Sequence, residues 1–524
     1  MCDTHNKSRR SFLRTSSLLS LPVLAGGLPV SAFAKSSLSS MVNGAEDRVL
    51  VIIQLDGGND GLSMIVPIDQ QDKLAAVRSN ILIPENKLLS ITDTLSLHPS
   101  MQGVQEIYDN AQLNIIQGVA YPNQNRSHFR SQDIWHTGSS ADEYLDTGWV
   151  GRYLDTTVTD YPNSYPNDDC PDPFAITVGG SASETCQGTG GNFSMVIIDP
   201  EEISTLPTPI NNEIASGCYE EQLSFLTQSI EQSNVYGEAI KGAYANGENK
   251  STKYADDNDL ASKLKTVARL IKGGLQTKIY VVNIGGFDTH AEQVQEEDTS
   301  TGNHAFLLGM LSDAMCAFQD DLKLLELEKR VLGMTYSEFG RRIRSNFSLG
   351  TDHGTAAPMM VFGHCVNPGV IGDNAEIDTV VDVNEGVAMQ YDFRSIYGSV
   401  LMDWFKVEEA QVQSLFSNDF QYLPILSECE STSIEEINAK SYDLSAQPNP
   451  YSDYLQVAFT LDTREDIRLS VFDVLGAEIK VIHNKSIDAG KHEFNVEMHD
   501  IPAGPYFLRM QTRTGQKTMR LVKI

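Results

Sequence analysis

Five apolar runs constrain this chain more than any other feature. Residues 48–55 (RVLVIIQL), 113–119, 278–284, 330–336 and 358–362 are short, rich in β-formers and nearly unbroken, whereas a strand with one wet face alternates. Strands of this kind are buried on both faces and need helices above and below their sheet. Helical spacing fills the intervals at 260–273, in a stretch opening at His304 with Leu307, Leu308, Leu311, Met315, Phe318 and Leu322 on one face, and at 393–405. The expected fold is α/β, a doubly wound and mostly parallel sheet. Residues 155–255 are rich in Pro, Gly, Ser, Asn and acids with weak periodicity, and read as a loop-rich insertion or cap.

Each run borders acids or imidazoles. The first ends at Asp56-Gly57-Gly58-Asn59-Asp60-Gly61, the second leads to Arg126-Ser127-His128, and the third to Asp288-Thr289-His290. The fourth stops in a polar turn at Ser337-Glu338-Phe339-Gly340-Arg341, a loop is expected after it, and Asp352-His353 comes just before the fifth. Sheets of this type bind ligands outside the carboxyl ends of their strands, so residues far apart in sequence would converge there. Carboxylates and imidazoles hold divalent cations. Two cations roughly 4 Å apart clamp the attacking and leaving oxygens of a displacement at phosphorus or sulfur. Taken singly, Asp56 fits a turn, His290 or His304 a satisfied polar residue, Glu338 a helix start, and Arg341 a surface cation. Taken together they describe half or more of a metal-centred hydrolytic site.

At 524 residues with 41% hydrophobic and 21% charged side chains, the chain is globular and longer than one ordinary domain. Residues 1–34 read as an export signal. Arg9 and Arg10 precede Phe12-Leu13, an apolar segment at 18–30 and small residues at 31–34. That segment is short for a span and is broken by Pro22, Gly26, Gly27 and Pro29, so no transmembrane span is expected in the mature chain. The net charge is −31, while residues 448–524 hold ten acids and ten bases. The acidic excess therefore lies in the preceding part, which argues against nucleic acid and anionic membranes as partners. An anionic substrate would need local positive charge of the kind bound metal ions provide. Of the cysteines, Cys170, Cys186 and Cys218 share the loop-rich region and suggest one bridge there, while Cys316 fits a buried thiol. Residues 428–447 form a linker. From 448 to 524 short alternating strands separated by turn signals indicate a small all-β sandwich.

The motifs VIIQLDGGNDGL (51–62), YPNQNRSHFRSQDIW (121–135), GGFDTH (285–290) and SEFGRR…GTDHGTAAPMMVFG (337–363) resemble an exported bacterial family, domain of unknown function 1501. That family is grouped with the alkaline-phosphatase-like superfamily of metal-dependent phosphatases, sulfatases and phosphodiesterases. The resemblance covers roughly residues 48–406. It implies that Asp56 is the first-strand metal aspartate and that Ser127, beside His128 at a helix start, is the nucleophile. There the helix N-terminus and a cation would lower the hydroxyl's pKa. It further implies that Asp288 with His290 or His304 binds metal on the leaving-group side, and that His353 is the last histidine ligand, with Asp352 beside it. Arg126 or Arg341 would take the anionic oxygens in bidentate fashion. Two departures stand out: Asp-x-His replaces Asp-x-x-x-His, and Glu338-Phe339 replaces Asp-His. They favour Mg²⁺, Ca²⁺ or Mn²⁺ over Zn²⁺, or a single ion. The paired arginines resemble a twin-arginine signal. The segments NPYSDYLQV, LSVFDVLGAEI, IPAGPYFLRM and TMRLVKI resemble the sorting domain of the type IX secretion system of Bacteroidota.

The sequence thus points to a secreted or surface-attached, metal-dependent hydrolase acting on a small-molecule or glycan phosphate or sulfate ester. Export and type IX machinery are its expected partners. The alternatives are an inactive surface protein of the same fold that binds a metal or glycan, and a structural envelope protein.

Overall fold

Alternate residues of the first strand, β1 (Val49–Leu55), enter different cores. Val49, Val51, Ile53 and Leu55 pack with Leu264, Val267, Leu308 and Leu311, whereas Leu50 and Ile52 pack with Trp135, Trp149, Tyr397 and Trp404. Burial on both faces is why the run does not alternate. The computed structural model describes residues 47–207, 218–416, 420–427 and, with short breaks, 444–523. The leader 1–34 and most of the expected linker lie outside them. The chain splits into two compact units, Met1–Ser431 and Thr432–Ile524.

In the first unit β1 is followed by β2 (Leu113–Ala120), α1 (His128–Thr137), β3 (Ala175–Val178), β4 (Ser194–Ile197), α2 (Asp259–Lys272) and β5 (Ile279–Ile284). Then come α3 (Asn303–Leu324), β6 (Val331–Tyr336), β7 (Arg341–Ser345), β8 (Thr351–His353), β9 (Ala357–Phe362), β10 (Gly369–Ile371) and α4 (Phe393–Phe405). Along the main sheet the order is β10-β2-β9-β6-β1-β5-β3-β4. β1 pairs in parallel with β5 and β6, and β3 in parallel with β5 and β4. β9 runs antiparallel to both its neighbours, β2 and β6. The α/β class expected from sequence is what this unit adopts. Helices α2 and α3 cover one face; α1 and α4 cover the other. The indole N–H of Trp404 on α4 donates to the Val49 carbonyl at 3.1 Å, pinning helix to strand.

Three expectations need correction. The region 155–255 is not merely a loop-rich insertion, because β3 and β4 extend the main sheet and a helix, Cys218–Asn246, follows. Its strands have four residues each, too few for periodicity to register. The segment between Arg341 and His353 is an antiparallel hairpin, β7 with β8, rather than a loop. Cys170 and Cys186 are both free, so the bridge expected around them does not form; Cys365 is disulfide-bonded instead. Cys316 is a buried free thiol, as expected.

The second unit is antiparallel throughout its strand pairings, in sheets of three and four strands. Leu455, Val457, Phe459 and Leu461 alternate inward along Tyr454–Leu461 and meet Leu469, Val471, Leu508 and Met510. One wet face per strand explains why the sequence alternates here and not in the first unit. Among the described residues no helix is long and apolar enough to cross a membrane.

Candidate metal centre

Because β9 opposes both β2 and β6, β2 runs in the same direction as β6, β1 and β5. The carboxyl ends of these four strands and the amino end of β9 therefore share one rim. Each end delivers its polar segment there: Asp56 after β1, Ser127 and His128 after β2, Asp288 and His290 after β5, Glu338 after β6, and His353 before β9.

His128, Asp288 and His353 lie at the centre, with one ligand atom of each within 4.8 Å of the others. They form a possible metal site. His353 Nε2 and His290 Nε2 both stand 3.2 Å from Asp288 Oδ1, and His128 Nε2 is 3.5 Å from Asp288 Oδ2. The opposite nitrogen of each ring is anchored on oxygen. His128 Nδ1 meets Glu338 Oε1 at 2.8 Å, His290 Nδ1 meets Asp352 Oδ1 at 2.9 Å, and His353 Nδ1 meets the Arg126 carbonyl at 2.8 Å. These oxygens can only accept, so in the neutral rings Nδ1 carries the proton and the Nε2 lone pair faces Asp288.

Two features leave room for a cation. His128 Nε2 is buried and meets only Asp288 Oδ2, at 3.5 Å, without a close hydrogen bond. His290 Nε2 and His353 Nε2 face each other at 2.9 Å, which is satisfied by a proton on one ring or by a cation drawing on both. Burial pushes the Asp288 carboxyl up, but Arg341, His290 and His353 outweigh it and hold it below its ordinary value. The Glu338 hydrogen bond raises His128, and burial lowers His353.

Other sequence candidates fall elsewhere. Asp56 stands beside this cluster, its Oδ2 accepting from Asn283 Nδ2 at 2.8 Å; burial, with Glu338 nearby, raises its pKa. Glu338 is fully buried, accepts from the Gly57 N–H at 3.0 Å, and orients His128. Asp352 does the same for His290. Arg341 is no substrate clamp. Its guanidinium is buried and donates to the carbonyls of Gly57, Gly58, Phe287 and Thr351 and to Asp288 Oδ1. Ser127 is exposed at the start of α1 with a hydroxyl that makes no capping bond. Arg126 donates to the Asn384 carbonyl at 2.7 Å.

His304 is not at the rim. It is buried, with its Nε2 2.9 Å from Asn59 Oδ1. Burial lowers its pKa to about 4, and that of neighbouring His98 to about 3. Both are neutral in the fold but protonate in the unfolded chain below about pH 6.5. The unfolded state thus binds more protons as pH falls from about 6.5 towards 4, and stability drops over that window. His304→Gln should flatten this slope in thermal midpoints measured from pH 7 to 4; an unchanged slope would refute the assignment.

The β1 loop closes on the centre through glycine. Gly57 has φ +121°, and a Cβ there would collide with the Asp288 backbone nitrogen. Gly57→Ala is expected to weaken metal uptake, since it displaces Asp288 as well as straining the turn. Calorimetric metal titration checks this.

Residues 218–407 match a family described as a protein of unknown function, DUF1501. Residues 445–524 match the secretion system C-terminal sorting domain. The chain thus contains one segment that matches the DUF1501 model, which spans less than half of it, and a C-terminal tail that matches the sorting-domain model. The tail marks a secreted or cell-surface protein, and the DUF1501 segment spans Asp288, His290, Glu338, Asp352 and His353 while His128 precedes it. No curated protein matches. Similar solved structures include a protein in the alkaline phosphatase superfamily from Vibrio parahaemolyticus, at 10% identity and TM-score 0.32, covering 80% of this chain and 76% of that one. Another is the phosphonate monoester hydrolase SpPMH from Silicibacter pomeroyi, at 9% and 0.31, covering 91% and 89%. A third is alkaline phosphatase from the Antarctic bacterium TAB5, at 10% and 0.26, covering 60% and 92%.

Proposed function

We propose that this secreted DUF1501 protein is a metal-dependent hydrolase of phosphate or sulfate esters, working at the His128–Asp288–His290–His353 cluster. The convergence of the His128, His290 and His353 Nε2 atoms on one carboxylate, Asp288, carries this reading. Three imidazoles and one carboxylate suit an ion such as Zn²⁺ better than Mg²⁺ or Ca²⁺. The sequence leans towards harder metals because Glu338-Phe339 stands where the resemblance expects Asp-His; the imidazole missing there is supplied in space by His128. A bound ion would supply positive charge to the ester oxygens.

The chain's own groups do the rest. Glu338, Asp352 and the Arg126 carbonyl hold the ring tautomers, Arg341 fixes Asp288, and the outer N–H groups of Arg126 bind anionic oxygens. Ser127 Oγ attacks phosphorus or sulfur, forming the seryl ester as the bond to the alcohol oxygen breaks. The alcohol leaves with a proton, and water then cleaves the seryl ester. A non-catalytic metal-dependent binding role is the second reading, favoured by the exposure of Ser127, whose hydroxyl makes no capping bond.

Elemental analysis of the purified mature protein, followed by chromogenic phosphate and sulfate esters with Zn²⁺, Mg²⁺, Ca²⁺ and Mn²⁺, tests the proposal. Turnover abolished by Ser127→Ala supports it. Metal uptake without turnover of any ester selects the binding role, and no metal uptake sinks both.

A further inference from the structure

The two segments that carry most of the cluster are Asp288–His290 and Asp352–His353. One buried amide joins them. Gln293 has no exposed surface. Its Oε1 accepts from Thr289 Oγ1 at 3.2 Å and from Thr351 Oγ1 at 2.7 Å. Thr289 sits between Asp288 and His290, and Thr351 immediately precedes Asp352. The Gln293 Nε2 donates to Asp60 Oδ2 at 2.7 Å. Asp60 is itself buried, ion-paired to buried Arg78 at 3.0 Å, and accepts from Ser63 Oγ at 2.7 Å. Arg78 extends the tie to the carbonyls of Arg342 and Ile343 on β7.

We infer that Gln293 is a positioning residue that sets the spacing between the Asp288–His290 and Asp352–His353 pairs, and so tunes metal affinity without touching the ion. The inference rests on the metal reading above. An amide is the group this place requires. Its oxygen takes two hydroxyl protons while its nitrogen supplies one to an ionised carboxylate. A glutamate would set a second carboxylate against Asp60. An apolar side chain would leave the Thr289 and Thr351 hydroxyls and one Asp60 lone pair unsatisfied in the interior. Backbone bonds between the segments, such as Thr351 N–H to the Thr289 carbonyl at 3.1 Å, keep them adjacent. The side-chain tie adds a fixed attachment to the β1 loop, which none of those bonds provides.

The test uses the full mature chain with Gln293→Met, Thr351→Val and Thr351→Ser, titrated with Co²⁺ against a chelator, alongside imidazole NMR of the metal-free protein. Groups that orient metal ligands typically change affinity by about 10–100-fold when removed. Gln293→Met and Thr351→Val should weaken Co²⁺ binding on that scale and shift the His290 and His353 signals, while Thr351→Ser, which keeps the hydroxyl, restores both. A purely structural role would lower the melting temperature yet leave the affinity of the folded protein and the imidazole signals unchanged, and that result overturns the inference. Thr351→Val changes only one methyl-sized group, so it keeps the test alive if Gln293→Met does not fold. Should the wild type take up no Co²⁺, the metal reading fails. The imidazole shifts then still decide whether Gln293 positions the two pairs.

Discussion

Asp288→Asn is expected to abolish metal binding at the proposed cluster. The carboxylate stands 3.2 Å from two imidazole nitrogens and 3.5 Å from a third, so it is the anionic member shared by every donor. Asparagine keeps the shape and an oxygen for Arg341 but loses the charge. Affinity should fall by more than the roughly 100-fold upper range typical of outer-shell partners, and ester turnover should disappear with it. Asp288 is 47% exposed at its side chain, so the metal-free fold should melt within a few degrees of the wild type. Asp352→Asn touches one imidazole from outside and should lie within about 10–100-fold. Asp298→Asn weakens an exposed pair with Lys87 and local bonds from Ser300, away from the rim, and should change neither quantity. Chelator competition ranks the three. Equal affinities for Asp288→Asn and the wild type would refute the cluster as a metal centre.

Arg341→Met should be the most destabilising single change at the rim. The side chain is fully buried, and its five recorded bonds serve four carbonyls and Asp288 from three different strand ends. Removing one partner of such a buried charged network costs about 3–5 kcal/mol, because the acceptors stay in place without donors. Lysine offers three donors from a point charge and cannot span the same set, so Arg341→Lys should recover only part. The three tryptophans, Trp135, Trp149 and Trp404, all lie in the first unit. Their fluorescence in urea therefore reports that unit alone. A loss below about 1 kcal/mol, the size expected of a single exposed pair, would contradict the buried-clamp description. Metal affinity should fall as well, since Arg341 aims Asp288.

These two residues also show where sequence reading succeeds and where it stops. Asp288 was legible because it follows a buried strand and a pair of glycines, a local pattern. Arg341 carried the same kind of local signal, a cation at a strand end, and was read as a substrate clamp. Its true partners are backbone carbonyls brought from residues 57, 58, 287 and 351, and no pattern in the sequence marks a carbonyl as waiting for a donor. His304 failed for the matching reason. A histidine opening a helix near Asp288 in sequence looks like a ligand, but α3 turns it into the interior towards Asn59. His128 stands out in the sequence beside Ser127, but the anchoring of its Nδ1 on Glu338 is visible only in space. Gln293 and Thr351 gave no signal at all, since glutamine and threonine are ordinary loop residues until they meet.

The amino-acid order alone decided the longer two-sided strands, their covering helices and the alternating strands of the tail, because burial on one or two faces writes directly into hydrophobic periodicity; the four-residue β3 and β4 were too short to register. It also carried the export leader and sorting tail as expectations, the tail since matched to a sorting-domain family. Only the tertiary structure decided which side chains share the rim and in what role. That depends on strand order, on β9 reversing direction, and on which nitrogen of each imidazole finds an oxygen. Those are contacts across tens to hundreds of residues, and local pattern carries no record of them.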